Sequence, residues 1–234
     1  MPADEFVFPP APQASLAVQG TDARFPIRRI FCVGRNYEAH AREMGNDPTR
    51  EAPFFFTKPA DAALNTPCTI PYPPQTEDLH HEIELVIAIG KGGRNIAEED
   101  VMDHVWGASV GIDLTRRDLQ AEAKKAGRPW DWGKAFDNSA PIAPLKPIAD
   151  VPSVEQGRIW LAVNGTVRQD ADLADLIWSV REHVAILSHS MSLAPGDIIM
   201  TGTPAGVAAL VEGDVVTGGV DGIATLEVTI GPRA

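Results

Sequence analysis

Two glutamates separated by one residue, Glu82 and Glu84, have the clearest chemical potential in the sequence. They lie in the stretch His80–Ile89, whose alternation is typical of a β-strand, so both carboxylates are predicted on one strand face. The remainder of the stretch is apolar on both faces, which indicates a buried strand. Two ionised carboxylates beside a core need a compensating cation, and a divalent metal ion would supply it. The alternative is an edge strand whose acids face water.

A third acid, Asp113, directly follows the apolar stretch 107–112 and could complete an all-oxygen metal site. Such a site suits Mg²⁺, Mn²⁺ or Ca²⁺ rather than Zn²⁺, which prefers His and Cys ligands. Asp113 could instead cap the next helix, which we expect to begin at a capping box of Thr115 and Asp118. The sequence thus offers a metal site at Glu82, Glu84 and Asp113, with water and substrate completing the shell.

Polar side chains downstream of Asp113 are candidates for holding a ligand on that metal. Arg117 and Gln120 are three residues apart and share one face of the predicted helix. Lys134 lies among aromatic residues, where it would be partly desolvated and able to neutralise a developing negative charge. The alternatives are a surface ion pair for Arg117, with Asp118 or Asp113, and a plain surface lysine.

A candidate base is His40, which precedes Glu43 by three residues on a predicted helix. A carboxylate beside an imidazole fixes its tautomer and raises its basicity, as a water-activating pair requires. Arg35 follows the glycine that closes a short strand and could meet a substrate acid, and Thr203 lies in a glycine-rich turn that could approach a ligand. Taken alone, His40 and Glu43 could form an exposed ion pair, and Arg35 could be an exposed loop residue. The glycine-rich turn that contains Thr203 could have no role in binding.

The composition argues against several classes of function. The chain has 234 residues and a formal net charge of −12, without a basic cluster, which disfavours binding to nucleic acid or to an anionic membrane. No apolar run approaches the ~18 residues of a membrane-spanning helix, and the start of the chain lacks the pattern of a signal peptide. Two cysteines are too few for a disulfide framework. The expected location is the cytoplasm.

The elements that must position these residues are mainly β-strands with a few inserted helices. Helices are predicted over 36–44, 97–104 and from the Thr115 capping box to Gly127, and a further one begins at a capping box of Ser179 and Glu182. No repeat or linker divides the chain after residue 25. We expect an α+β protein with one domain of rolled, mixed β-sheet over residues 26–234, preceded by a Pro- and Ala-rich arm (1–25) lying on the surface or across a partner subunit.

Five motifs, taken in order, resemble the fumarylacetoacetate hydrolase superfamily from about residue 26 to the end of the chain. They are Gly34-Arg35-Asn36-Tyr37 with His40 and Glu43, His81-Glu82-Ile83-Glu84, Asp113-Leu114-Thr115-Arg116-Arg117-Asp118, Lys134-Ala135-Phe136-Asp137, and Gly202-Thr203-Pro204-Ala205-Gly206. The resemblance implies the fold of that family's C-terminal domain, a homodimer, and Mg²⁺ or Mn²⁺ bound by Glu82, Glu84 and Asp113. It also implies a substrate site lined by Arg117, Gln120, Lys134 and Thr203, and a lid carrying His40 and Glu43 that activates water.

Three further stretches are most similar to the fumarylpyruvate hydrolase (acylpyruvase) branch of the superfamily: Tyr72-Pro73-Pro74-Gln75-Thr76, Arg116-Arg117-Asp118-Leu119-Gln120 and Leu176-Ile177-Trp178-Ser179-Val180. The expected activity is metal-dependent cleavage of a carbon–carbon bond in a small 2,4-dioxo acid, with fumarylpyruvate of gentisate catabolism as the expected substrate. Oxaloacetate decarboxylation and isomerisation of dioxo acids are the alternatives on the same site. A metal- or acid-binding protein without catalysis is a further alternative from a different class.

Overall fold

The computed structural model describes residues 6–43 and 51–233. Most of its regular elements are strands: β1 (Ser15–Val18), β2 (Thr21–Pro26), β3 (Arg29–Gly34), β4 (Phe54–Lys58), β5 (Ala63–Asn65), β6 (Cys68–Tyr72), β7 (Leu79–His80), β8 (Ile83–Ile89), β9 (Val105–Ile112), β10 (Thr115–Arg116), β11 (Ala140–Ile142), β12 (Lys146–Pro147), β13 (Arg158–Val163), β14 (Thr166–Asp172), β15 (Asp197–Met200), β16 (Ala209–Leu210), β17 (Val215–Val220) and β18 (Ala224–Arg233). The α-helices are α1 (Glu38–Glu43), α2 (Arg117–Ala126), α3 (Asp131–Lys134) and α4 (Val180–Ser190). None of the helices in the described ranges is long and apolar enough to cross a membrane. The predicted α+β class is confirmed.

The largest sheet is mixed and has eight strands, in the order β4-β3-β15-β8-β9-β11-β5, with β12 paired to β9. β3 and β15 are parallel, whereas β8 is antiparallel to both of its neighbours, β15 and β9. A second sheet of five strands has the order β14-β13-β17-β18-β6. The curled, mixed sheets agree with the predicted rolled β-sheet domain.

The main core lies between these two sheets. Leu85 and Ile87 of β8 belong to the same buried cluster as Leu161 of β13 and Val228 of β18. The opposite face of β8 packs into a second apolar cluster, so all seven residues of this strand are buried. A strand covered on both faces holds any charged residue on it away from bulk water. This burial excludes the alternative in which the two glutamates lie on an exposed edge strand.

The second cluster includes Leu16 and Val18 from the hairpin of β1 and β2, which lies within the predicted arm. The sequence showed no period in this region, and the expectation of an arm on the surface is wrong for the hairpin, since Leu16 is fully buried. Short strands among many Pro and Ala residues give too few alternating positions to be recognised. The predicted boundary between residues 25 and 26 falls inside β2.

The predicted strand His80–Ile89 consists of two elements, because β7 ends at His80 and β8 begins at Ile83. β7 leaves the large sheet and pairs with β10 and β16 in a separate three-stranded sheet. At the junction, the backbone N–H of Ile83 donates to Oε1 of Gln169 (3.1 Å) instead of to a neighbouring strand. A side chain of the second sheet therefore closes the break beside Glu82.

The capping box predicted at Thr115 and Asp118 is wrong. The Thr115 hydroxyl donates to the carbonyl of Asp113 (3.0 Å), and the Asp118 carboxylate accepts from the Thr76 hydroxyl (2.7 Å). Asp118 thus fastens a loop that is distant in sequence. The capping box predicted at the start of α4 is confirmed, and the predicted helix over 97–104 is a 3-10 helix at Glu98–Asp103.

Candidate metal centre and active site

Three carboxylates converge at one end of the β8–β9 pair. Glu82 directly precedes β8, Glu84 is its second residue, and Asp113 directly follows β9. The antiparallel register joins these positions, and the backbone N–H of Asp113 donates to the carbonyl of Glu82 (2.8 Å). Ligand oxygens of the three residues lie within 4.8 Å of one another, and the residues are 5%, 2% and 0% exposed, respectively. The backbone pairing of two buried strands therefore builds the cluster.

Cationic side chains surround two of these acids. Lys134 Nζ lies 2.7 Å from a Glu82 oxygen and 2.6 Å from an Asp113 oxygen, so it bridges the two carboxylates. Lys58 Nζ lies 2.9 Å from the other Asp113 oxygen, and Arg117 pairs with Glu82. Arg117 and Lys134 therefore form ion pairs inside the protein, which excludes the alternatives of a surface ion pair and a surface lysine. Replacing one partner of such a buried ion pair would leave the charge of the other uncompensated, so substitutions at these positions should be strongly destabilising.

Glu84 differs from the other two acids because its carboxylate has no cationic partner within hydrogen-bonding distance in the described residues. It accepts a hydrogen bond from the backbone N–H of Gly202 (2.8 Å). Burial raises the pKa of Glu84 well above its ordinary value, and the neighbouring charges of Asp113 and Glu82 raise it further. Burial also opposes ionisation of Glu82, but Lys134 and Arg117 outweigh it and hold its pKa well below the usual range. Without a further cation beside it, Glu84 therefore favours its neutral, protonated form.

The donor set fits a hard divalent cation. All three candidate ligands are carboxylates, and oxygen ligands of this kind bind Mg²⁺, Mn²⁺ and Ca²⁺. Burial lowers the pKa of Lys134, but the carboxylates of Asp113 and Glu82 raise it more, so this side chain remains an ammonium group. A positive charge is consequently fixed next to the three acids.

His40 and Glu43 of α1 lie at the edge of the same cavity. The imidazole is 7% exposed, and its Nδ1 lies 3.4 Å from a carboxylate oxygen of Glu43. Burial lowers the pKa of His40, an effect that the charges of Glu82 and Glu43 only partly offset, so the imidazole is neutral at pH 7. The same Glu43 carboxylate accepts a hydrogen bond from the backbone N–H of Gly206 (3.2 Å). The pair predicted from the sequence is therefore oriented by the turn that also carries Thr203.

The structure brings nine of the ten sequence-predicted site residues to the lining of one small cavity of about 40 Å³. They are Arg35, His40, Glu82, Glu84, Asp113, Arg117, Gln120, Lys134 and Thr203. Glu43 lies behind His40 and does not line this cavity. Gln120 accepts a hydrogen bond from Arg117 (2.6 Å), which fixes the two side chains relative to each other.

Two buried residues that support this site were missed in the sequence. Lys58 ends β4 and contacts Asp113, as well as the backbone carbonyls of Leu114 (3.2 Å) and Lys134. Gln169 of β14 donates to the Thr203 hydroxyl (2.8 Å) and to the carbonyl of Pro204 (2.8 Å). Lys58 could have been recognised as a candidate, because a lysine at the end of an apolar strand is unusual. Gln169 could not, because a glutamine in a hairpin has no distinctive pattern.

Fold, site and sequence define one class of protein. The model of the family described as "Fumarylacetoacetate (FAA) hydrolase C-terminal" matches residues 29–231, and the chain belongs to this family. The family expected from the five motifs is thereby confirmed.

The chain is also similar to individual proteins of known name and structure. The chain is 45% identical over 186 residues to the fumarylpyruvate hydrolase of a Ralstonia species, an alignment that covers 80% of this chain and 96% of the relative. It is similar to the crystal structure of fumarylpyruvate hydrolase from Pseudomonas aeruginosa in complex with Mn²⁺ and pyruvate, with 50% identity and a TM-score of 0.95 over 98% of this chain and 100% of the other. It is also 38% identical over 199 residues to the human mitochondrial protein named oxaloacetate tautomerase FAHD1, covering 85% of this chain and 90% of that protein.

Proposed function

We propose that this protein is a metal-dependent hydrolase that cleaves fumarylpyruvate, a 2,4-dioxo acid, to fumarate and pyruvate. The observation that carries the proposal is the buried cluster of Glu82, Glu84 and Asp113 on the same cavity as the neutral imidazole of His40. Two relatives with 45% and 50% identity are named fumarylpyruvate hydrolases, and one of them was crystallised with Mn²⁺ and pyruvate.

Glu82, Glu84 and Asp113 would hold the metal, for which we propose Mg²⁺ or Mn²⁺, with Ca²⁺ as a substitute in vitro. When bound, it supplies positive charge that polarises the carboxylate and the adjacent keto oxygen of a dioxo acid. Glu84 has no cationic partner within hydrogen-bonding distance in the described residues, and a divalent cation beside it would favour the ionised form of that carboxyl group.

The remaining polar side chains of the cavity bind and orient the substrate. Arg117 and Lys134 offer positive charge, and their positions are fixed by Glu82, Gln120 and Asp113. Thr203 presents a hydroxyl group whose oxygen already accepts a hydrogen bond from Gln169, so its own proton is available to a ligand. This preorganisation means that the charges need not rearrange when the reaction develops negative charge.

His40 is the proposed general base. Its Nδ1 faces Glu43, which leaves Nε2 to take a proton from a water molecule that attacks the carbonyl carbon C4. The C3–C4 bond then breaks, fumarate takes the oxygen of the water, and the electron pair of the bond passes to the pyruvate enolate. Lys134 stabilises that enolate, and the proton held by His40 balances the proton that the enolate gains on becoming pyruvate.

A second candidate function is supported by the relatives named oxaloacetate tautomerase, at 37–39% identity. Isomerisation or decarboxylation of oxaloacetate would use the same carboxylates and Lys134 but needs no attack by water. Loss of His40 should therefore be tolerated in decarboxylation and not in hydrolysis.

The test is to incubate the Mn²⁺- or Mg²⁺-loaded protein separately with fumarylpyruvate, acetylpyruvate and oxaloacetate. The loss of enol absorbance and the identity of the products are followed, with Glu82→Gln as the inactive control. Formation of fumarate and pyruvate in equal amounts is the expected result. Turnover of oxaloacetate without turnover of either acylpyruvate would overturn the proposal in favour of the second candidate.

We also propose that the protein acts in the cytoplasm as a homodimer. The low content of cysteine and the family resemblance support this proposal. Light scattering coupled to size-exclusion chromatography tests the oligomeric state, and a monomeric mass at micromolar concentration would contradict the dimer.

A further inference from the structure

A second cavity, which we call the side cavity, lies next to the candidate active site. Its volume is about 510 Å³, and it shares Arg35, Phe56, Trp130 and Lys134 with the lining of the smaller cavity. Its size is within the range typical of small-molecule sites. Because Lys134 contacts the three-carboxylate cluster and also lines the side cavity, a ligand that begins at the cluster can extend into this space.

Four of the ten residues that line the side cavity are aromatic, and three of these rings lie against one another. The ring of Trp130 lies 5.2 Å from that of Phe54 and 5.7 Å from that of Phe56, at angles of 90° and 55°. The two phenylalanines come from β4, and Trp130 directly precedes α3, so regular elements hold all three rings. These rings are only half-buried, which leaves apolar surface open to the cavity. Such a wall suits a flat, conjugated chain.

Three cationic groups lie around the two cavities without an acidic partner in the described residues: Arg35, Lys124 and Arg128. The guanidinium of Arg35 lies 5.4 Å from the Phe54 ring centre, and Asp131, which also lines the side cavity, pairs with neither arginine. Burial and the nearby charges of Arg35 and Arg117 lower the pKa of Lys124. Lys124 and Arg128 are exposed, and positive charges gathered in this way attract an anion even in a chain of net charge −12.

We propose that the side cavity is the acyl subsite and that it selects a flat acyl chain ending in a carboxylate. The aromatic rings contact the chain, and Arg35 and Arg128 bind its terminal carboxylate. This inference rests on the proposed function, which places the dioxo-acid end of the substrate at Glu82, Glu84 and Asp113. A short neutral acyl group would leave both guanidinium groups without a partner, so the cavity favours a dicarboxylic substrate over an acetyl or alkyl one.

Arg128 is the better of the two arginines for a test, because its side chain is exposed and lines the side cavity but not the small one. Arg35 has a positive φ of 56°, so its replacement would also change the backbone preference of the loop. Lys125, an exposed residue that lines neither cavity, provides a matched control for the loss of one positive charge.

The experiment compares wild type, Arg128→Ala, Arg128→Lys and Lys125→Ala, each loaded with Mn²⁺, on fumarylpyruvate and acetylpyruvate. We expect Arg128→Ala to lower the kcat/KM ratio of fumarylpyruvate to acetylpyruvate about 10- to 100-fold, as for the loss of hydrogen bonds to a charged group. Arg128→Lys restores part of the ratio, and Lys125→Ala leaves it unchanged. An unchanged ratio in Arg128→Ala would overturn the subsite.

A binding measurement separates failure of this inference from failure of the proposed function. Calorimetry with fumarate as the probe, in the presence of Mn²⁺ and pyruvate, requires no turnover. We expect fumarate to bind wild type and to bind Arg128→Ala about 10-fold or more weakly. Absence of fumarate binding to wild type would overturn the subsite even if fumarylpyruvate is hydrolysed. Binding that depends on Arg128 would support the subsite even if hydrolysis is not observed.

Discussion

The positive charges at the bottom of the active site and those at its mouth differ in how they are compensated. At the bottom, Lys58 and Lys134 are buried and ion-paired with Asp113 and Glu82. At the mouth, Arg35, Lys124 and Arg128 have no acidic partner in the part of the chain that the structure describes. The first group is therefore part of the folded structure, whereas the second group has no acidic partner among these residues and is the proposed binding site of an anion. Changes at the bottom should affect stability and catalysis together, and changes at the mouth should affect ligand choice alone.

The largest effect is expected for Glu82→Gln, which removes a candidate metal ligand and the partner of two cations. Hydrolysis should fall by at least about 100-fold, as on removal of a preorganised charge. The free energy of unfolding should fall by about 3 kcal/mol, because Lys134 and Arg117 lose their common anion. Steady-state kinetics and urea unfolding measure the two losses, and Glu227→Gln, at an exposed position, serves as the control. Retention of a large part of the activity would contradict the assignment of Glu82.

Lys58→Met tests whether a buried lysine supports the carboxylate cluster. Without the ammonium group, Asp113 has one cation fewer, and we expect the metal-free protein to lose about 3 kcal/mol of unfolding free energy. Saturating Mn²⁺ should recover more stability in this variant than in wild type if the ion takes over the charge of Asp113. Urea unfolding with and without Mn²⁺ measures both, with Lys91→Met as the exposed control. Equal losses in both conditions would show that Lys58 acts through its packing and its carbonyl contacts, and not through the charge of Asp113.

His40→Ala should lower kcat by about 100-fold or more and leave Mn²⁺ affinity unchanged. The pH profile carries further information. Because burial lowers the pKa of His40, the active, unprotonated form persists below pH 6.5, and activity falls as the pH decreases through this lowered pKa. That acidic decline should be absent from the residual rate of the variant. Calorimetry with Mn²⁺ and rates from pH 4 to 8 provide the measurements, and full activity of His40→Ala would exclude the role as base.

Gln169 belongs to neither group of cations; it is buried in the second sheet and holds the hydroxyl of Thr203. Gln169→Leu should raise KM about 10-fold, because the hydrogen bonds that hold the Thr203 hydroxyl and the Pro204 carbonyl are lost. If the effect passes through Thr203, the double variant with Thr203→Val should be no worse than the poorer single variant. Additive losses would assign Gln169 to the junction at Ile83 instead.

The smallest effect is expected for Lys124→Ala at the mouth. This change should lower kcat/KM for fumarylpyruvate about threefold, as for a solvent-exposed charge. The loss should shrink as the salt concentration rises. The free energy of unfolding should not decrease, because Lys124 faces the like charges of Arg35 and Arg117. A stability loss similar to that of Lys58→Met would contradict the distinction between the bottom and the mouth.

Local sequence patterns were sufficient for the part of the site that depends on strand geometry. Alternation placed Glu82 and Glu84 on one face, and the end of the next apolar strand supplied Asp113. Helical spacing brought Arg117 beside Gln120 and His40 beside Glu43, as the structure shows. Only the resemblance to a family predicted that the five motifs belong to one site, because no local pattern connects residues so far apart in the sequence.

The features that were missed or wrong depend on contacts between distant parts of the chain. Gln169 meets Ile83 across 86 residues, and Asp118 is occupied by Thr76 across 42 residues instead of capping a helix. The break in the strand at Glu82 has the same origin, because β7 joins another sheet. Contacts of this kind have no periodicity, so single-sequence reasoning cannot place them.

The hydrogen bonds from the backbone of Gly206 hold the carboxylate of Glu43, which orients His40. These bonds are exposed and join α1 to the turn beyond Thr203, and a typical hydrogen bond contributes only about 1 kcal/mol. They should therefore open and close often during the lifetime of a bound substrate. In the proposed hydrolysis, attack by water requires the closed state, in which Glu43 orients His40. The fraction of time that these bonds are closed would thus set an upper limit on the rate of that hydrolysis.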